Sequence, residues 1–104
     1  MSDVKHTNMG LVDDGITGYE LRSPQSYLRY GYSPSTNIFF VYNIGTPNLD
    51  DRKKGYAKQL IQMFFELVRE RDGRIDVGTY TPSGEKYIKP VMQHFSQQYN
   101  VKLI

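Results

Sequence analysis

The sequence predicts an α/β fold: a mixed sheet with a central strand–helix–strand core, flanked by two helices. Three observations predict it. Aromatic and β-branched runs dominate before Pro47, a helical period takes over from Gly55, and a short alternating run stands between two helical stretches. A strand, a helix and a strand in that order favour two parallel neighbours with the helix crossing one face of the sheet. The chain has 104 residues, which is room for one domain spanning 1–104.

The elements follow in order. Residues 1–8 are expected to fray. Met9 to Val12 is a short strand candidate, joined through the turn signal Asp13-Asp14-Gly15 to a second strand from Ile16 to Leu21. The runs Tyr27 to Tyr32 and Asn37 to Ile44, separated by Ser33-Pro34-Ser35-Thr36, read as an antiparallel hairpin. Its second strand is the more apolar and is expected to be central. From Gly55, the apolar residues Ala57, Leu60, Ile61, Phe64 and Val68 fall on one helical face, and Gly73 supplies the stop signal. Arg74 to Tyr80 alternates like a strand, with Ile75, Val77 and Thr79 on one side. A second helix follows Pro82, with Ser83 as its cap and Ile88, Val91, Met92, Phe95 and Tyr99 as its buried stripe. Pro90 lies inside that stripe and should kink or split the helix near Lys89. Val101 to Ile104 is expected to close the chain as a short strand or extended end.

Composition narrows the chemistry. The chain is 38% hydrophobic and 23% charged, as in ordinary globular proteins. No apolar run reaches the ~18 residues of a membrane span, and the first twenty residues lack the pattern of an export signal, so a cytoplasmic protein with no membrane partner is expected. There is no cysteine, which excludes disulfides, a thiolate nucleophile and Cys-based zinc sites. With His6 and His94 the sole histidines, no metal is expected. The net charge is +2, and residues 51–104 hold 10 of the 13 Lys and Arg against 6 of the 11 Asp and Glu. A basic second half can face nucleic acid or surround one polyanionic small ligand, and +2 overall is modest for a nucleic-acid binder.

The loop between the apolar strand and the first helix carries the chemistry: Ile44-Gly45-Thr46, then Arg52-Lys53-Lys54-Gly55-Tyr56-Ala57. A strand feeding a basic, glycine-containing turn that opens a helix is a physically competent anion site. Unpaired N–H groups of the first turn point outward, the helix dipole adds partial positive charge, and Gly55 permits close approach. The P-loop and dinucleotide patterns both fail, the first for want of a Gly-Lys-Ser/Thr ending and the second for want of three spaced glycines.

This segment resembles motif A of the Gcn5-related N-acetyltransferase (GNAT) superfamily, Arg/Gln-x-x-Gly-x-Gly/Ala followed by a leucine, here Arg52 to Ala57 and then Leu60. The resemblance covers roughly residues 27–100, in the family's order of elements. It implies that acetyl-coenzyme A is bound, with its pyrophosphate at Arg52, Lys53, Lys54, Gly55, Tyr56 and Ala57. The pantetheine would lie along Ile44, Gly45 and Thr46, where the two parallel strands splay apart. The implied reaction is direct attack of an amine on the thioester, with a tyrosine protonating the leaving thiolate. The family's Asn-x-x-Ala-x-x-x-Tyr stretch is matched approximately from Thr81, so that the tyrosine falls one residue early, at Tyr87, with Tyr80 next as the acid. Candidate bases are Glu20, Asp14 and His94.

The family usually opens with a strand and two helices over the acceptor site, whereas few residues precede the first strands here. A reduced acceptor side, similar to that of small phage-encoded members, favours a macromolecular acceptor such as a protein lysine, or a site completed by a second subunit in a homodimer. Two other readings remain open on sequence: a non-catalytic GNAT-fold protein that inhibits a host factor by occupying it, and a nucleic-acid binder using Arg52, Lys53, Lys54, Lys58 and exposed tyrosines.

Overall fold

The computed structural model describes residues 4–47 and 54–104. Four strands, β1 (Lys5–Asp13), β2 (Ile16–Arg22), β3 (Tyr27–Ser33) and β4 (Ile38–Gly45), form an antiparallel meander in chain order. Helix α1 (Tyr56–Glu70) then crosses over, and β5 (Arg74–Asp76) pairs parallel to β4. Helices α2 (Pro82–Tyr87) and α3 (Lys89–Tyr99) follow, and Leu103 forms a single parallel bridge to Ile75. The fold is α/β, with a mixed five-stranded sheet.

Several boundaries differ from expectation for identifiable reasons. Strand β1 begins at Lys5, which pairs with Arg22, so residues 5–8 are ordered strand rather than a frayed end. β3 is the middle strand; β4, expected there, links the antiparallel part to β5. Its apolar run serves two surfaces, since Phe39 is buried in the core while Tyr42 is exposed. The cap of the second helical stretch is Thr81 rather than Ser83, its hydroxyl oxygen accepting from Gly84 N–H at 3.0 Å. With Pro82 at the first helical position, the cap must precede it. Pro90 divides the stretch into α2 and α3, with Ile88 between them, because a proline has no N–H to give to the preceding turn.

The core lies on one face of the sheet. Leu21, Leu28, Tyr30 and Phe39 project from β2, β3 and β4 against Leu60, Ile61, Phe64, Phe65 and Val68 of α1, and Met92 and Phe95 of α3 complete it. Phe64 is fully buried, with ring centroids 5.0 Å from Tyr30 and 6.1 Å from Phe39. Phe65 touches Phe95 and Tyr99 of α3, so α1 lies between the sheet and that helix. The opposite face of the sheet carries Glu20, Arg22, Tyr27, Arg29 and Tyr42.

The exposed edge strand β1 is pinned to the core face by His6, whose Nε2 shares a 2.6 Å hydrogen bond with the Tyr30 hydroxyl. Partial burial lowers the His6 pKa below its ordinary value of 6.5. A lowered folded-state pKa means that the unfolded chain binds the proton more readily. The contribution of this contact is complete above pH about 6.5 and is lost as the pH falls below that value and through the folded-state pKa. Thermal melts of the wild type should therefore drop slightly between about pH 7 and pH 5, and His6→Gln should melt lower at pH 7 with a flatter dependence over that interval. Parallel profiles for the two proteins would show that His6 does not couple β1 to pH.

Candidate active site

A cleft opens where β5 stops. The alternation of Ile75, Val77 and Thr79 predicts a strand through Tyr80, yet pairing with β4 covers only Ile38 to Phe40 against Arg74 to Asp76. The reason is local. Gly78 has φ +63°, and its N–H donates to Asp76 Oδ1 at 2.9 Å, a turn that removes the chain from the ladder. From Val41 onward, β4 therefore has no strand partner on this side among the described residues. Backbone amides and carbonyls along such an edge can pair with an extended ligand that carries amides of its own.

The resulting space has two adjoining parts. An inner cavity of about 120 Å³ is lined by Val41, Tyr42, Asn43 and Ile44 of β4 and by Val77, Thr79, Tyr80, Thr81, Gly84, Ile88 and Met92 opposite. An outer cavity of about 440 Å³ is lined by Ile44, Gly45, Thr46, Ala57, Thr81, Ser83, Gly84, Tyr87 and Ile88. Ile44, Thr81, Gly84 and Ile88 border both. The slot thus runs along β4 from its middle to the start of α1.

β4 is irregular at the inner end. Arg29 pairs with Asn43 and Tyr30 with Val41, which leaves Tyr42 as an extra residue in β4. A bulge of this kind re-aims backbone groups beside a site. The Tyr42 ring lies over Gly31, where an added Cβ would come 2.5 Å from the phenol oxygen. Burial and the nearby Asp13 carboxylate raise its pKa.

At the outer end, Thr46 is tied to β3's approach by a 2.8 Å hydrogen bond between its Oγ1 and Ser26 Oγ. Gly55 takes the left-handed conformation, φ +84°, and precedes α1; among the described residues no side chain caps the helix, and no acidic residue stands in its first turn. Among the described residues a Cβ at Gly55 would meet nothing within 4 Å, so it is the backbone angle that calls for glycine. Lys54 is exposed next to it, and Tyr56 and Ala57 are half-buried, with Ala57 reaching the outer cavity. Arg52 and Lys53 lie outside the described residues.

The two candidate acids are placed differently. Tyr80 lines the inner cavity facing β4, and burial raises its pKa, so the phenol keeps its proton at neutral pH. Tyr87 lines the outer cavity, is 48% exposed and has the Lys86 ammonium over its ring at 5.3 Å. The position one residue later, Ile88, borders both cavities. None of the candidate bases lines either cavity. His94 is exposed on α3 against Phe95, and Asp14 sits in the β1–β2 turn. The Glu20 carboxylate is held ionised by hydrogen bonds from Arg22 and Arg29, which lower its pKa to about 2, far too low for a base working near neutrality. Among the described residues no three His, Asp or Glu side chains group as a metal site.

The opposing wall of the cleft, Val77, Thr79, Thr81, Ser83 and Met92, and the bulge at Tyr42 were not evident from the sequence.

No protein-family model and no curated protein matches the chain. Its fold is similar to the crystal structure of nourseothricin acetyltransferase, with a TM-score of 0.55 at 13% sequence identity, covering 86% of this chain and 68% of that one. This is an acetyltransferase-like fold. None of the described helices is long and apolar enough to cross a membrane.

Proposed function

We propose that the protein is an acetyltransferase of the GNAT type, which takes an acetyl group from acetyl-coenzyme A and passes it to a primary amine, with a protein lysine as the acceptor class. The observation that carries this reading is the pair of adjoining cavities beside the edge of β4 that β5 leaves unpaired, with a protonated phenol in one and the start of α1 bordering the other. The fold's likeness to an acetyltransferase supports it.

Each part of the slot has a chemical task on this reading. Acetyl-coenzyme A supplies the activated acyl group as a thioester. The β4 edge from Asn43 to Thr46 offers hydrogen bonds to the amides of the pantetheine arm, and the bulge at Tyr42 turns a backbone group toward the carbonyl end. The first-turn N–H groups of α1, together with Lys54, Arg52 and Lys53, hold the pyrophosphate. Tyr80 Oη holds the proton that the leaving sulfur takes up, in preference to Tyr87, which stands nearer the outer mouth. Transfer is direct on this reading, since attack of an amine on a thioester needs no covalent nucleophile, and the absence of cysteine is no obstacle to it. The amine must arrive neutral; with no carboxylate or imidazole lining the slot among the described residues, its proton leaves through water.

Binding is the first test. At a ligand concentration of 100 times Kd, mass action stabilises the native state by about 2.7 kcal/mol, a clear upward shift in Tm. An unchanged Tm at millimolar acetyl-coenzyme A would remove the reading; a shift without transfer to any amine in lysate would leave a binding protein.

A further inference from the structure

The helices and the core occupy one face of the sheet, and the acyl slot opens between β4 and the chain after β5. Resting on that slot as the acyl-donor site, we propose that the acceptor approaches across the opposite sheet face, which no described helix covers, and is an acidic peptide segment, its carboxylates held by Arg22 and Arg29 beside the reacting lysine.

The two guanidiniums form a built arrangement. Glu20 lies between them: Arg22 Nε donates to its Oε1 at 2.8 Å, and Arg29 Nε donates to its Oε2 at 2.9 Å. The Tyr27 ring is flanked by both, with the Arg22 and Arg29 guanidinium carbons 5.1 and 4.9 Å from its centroid. Glu20 and Tyr27 thus fix two long side chains that would otherwise lose rotamer freedom on meeting a ligand. Arg29 is bonded to Glu20 through Nε alone, so among the described residues its Nη donors are uncommitted, and both arginine side chains are 45% exposed.

Charge and position point the same way. Glu20 is 12% exposed and neutralises one arginine's worth of charge, while Lys5, the register partner of Arg22, adds another cation to the same face. A surplus of positive charge remains where guanidinium forks suit carboxylates. Arg29 is the cross-strand partner of Asn43, which lines the inner cavity, and Tyr27 packs on Gly45, which lines the outer one. Arg29 therefore stands one strand spacing, about 4.8 Å, from the wall of the slot, and Arg22, on β2, stands two. A flat sheet face does not enclose a small molecule, and an extended segment is the occupant it can hold along several residues.

The test uses the intact chain and two fluorescent peptides, one with a central lysine between glutamates and one with glutamines in their place. Anisotropy at low salt should show the acidic peptide binding about tenfold more tightly, with the difference lost near 0.5 M salt. In the triple variant Glu20→Gln, Arg22→Gln, Arg29→Gln, which leaves no orphaned charge, the advantage should vanish while the acetyl-coenzyme A thermal shift is unchanged. Where transfer is measured, the variant should raise KM for the acidic peptide and leave kcat alone. Equal binding of the two peptides by the wild type would overturn the proposal, as would an advantage that survives in the triple variant. Displacement of the acidic peptide by an oligonucleotide of equal charge at equal concentration would assign the face to nucleic acid instead, and a dimer that the triple variant dissociates would assign it to a second copy; either overturns it. Peptide selectivity without any acetyl-coenzyme A binding would remove the acetyltransferase reading and leave the acidic-peptide site standing.

Discussion

Tyr80→Phe is expected to slow acetyl transfer by about 10²–10⁴-fold and to leave the affinity for acetyl-coenzyme A nearly unchanged. The substitution removes one oxygen and keeps the ring, so the packing of the inner cavity persists. What disappears is the hydroxyl that, on the proposed mechanism, protonates the leaving sulfur. Because burial raises the Tyr80 pKa, the wild-type phenol is protonated throughout the neutral range, and the rate should not fall until the pH passes above the usual tyrosine range. Tyr87→Phe is the control: at the exposed outer mouth, its effect on kcat should be small. A large loss with Tyr87→Phe and none with Tyr80→Phe would move the acid to Tyr87. If neither variant is slowed in single-turnover assays, water supplies the proton and the phenols only line the slot.

Gly55→Glu is expected to weaken acetyl-coenzyme A binding by about 100-fold or more. At φ +84° any side chain is strained, by roughly 1–2 kcal/mol. The new carboxylate also stands where the first-turn N–H groups of α1 point and competes with the pyrophosphate for them. The helix dipole favours that carboxylate, which offsets part of the strain and keeps the protein folded. Gly55→Ala separates the two effects, carrying the strain without the charge, and should bind the ligand far better than Gly55→Glu. Calorimetric titration with circular dichroism on each variant checks this; wild-type affinity in Gly55→Glu would place the pyrophosphate elsewhere.

The sequence revealed those parts of the fold that local chemistry determines. The β3–β4 hairpin followed from two aromatic runs around Ser33 to Thr36, α1 from the face shared by Leu60, Ile61, Phe64 and Val68, and the α2–α3 break from Pro90. β1 was largely hidden because it is exposed along its whole length, so no burial pattern marks it. The cleft itself was harder to foresee. Its near end, Ile44 to Thr46 and Gly55 to Ala57, belongs to a contiguous motif, but its far wall depends on Asp76 and Gly78 overriding an alternation that reads as strand. Glu20 shows the same limit: a carboxylate that is a base candidate in the sequence is locked between two arginines that only the β2–β3 register brings to it.

The strand order has a consequence for how the molecule assembles. Because β1 to β4 each pair with their neighbour in the chain, the antiparallel part can form from contacts of short sequence separation, closing small loops at low entropic cost. β5 cannot join until α1 has crossed, and it pairs with β4 across some thirty-six residues through only three register positions, Ile38 to Phe40. The parallel seam is thus the slow closure of the sheet. The slot that begins where this seam ends is completed last, and a ligand that bridges β4 to the chain beyond β5 would act as the missing continuation of the ladder.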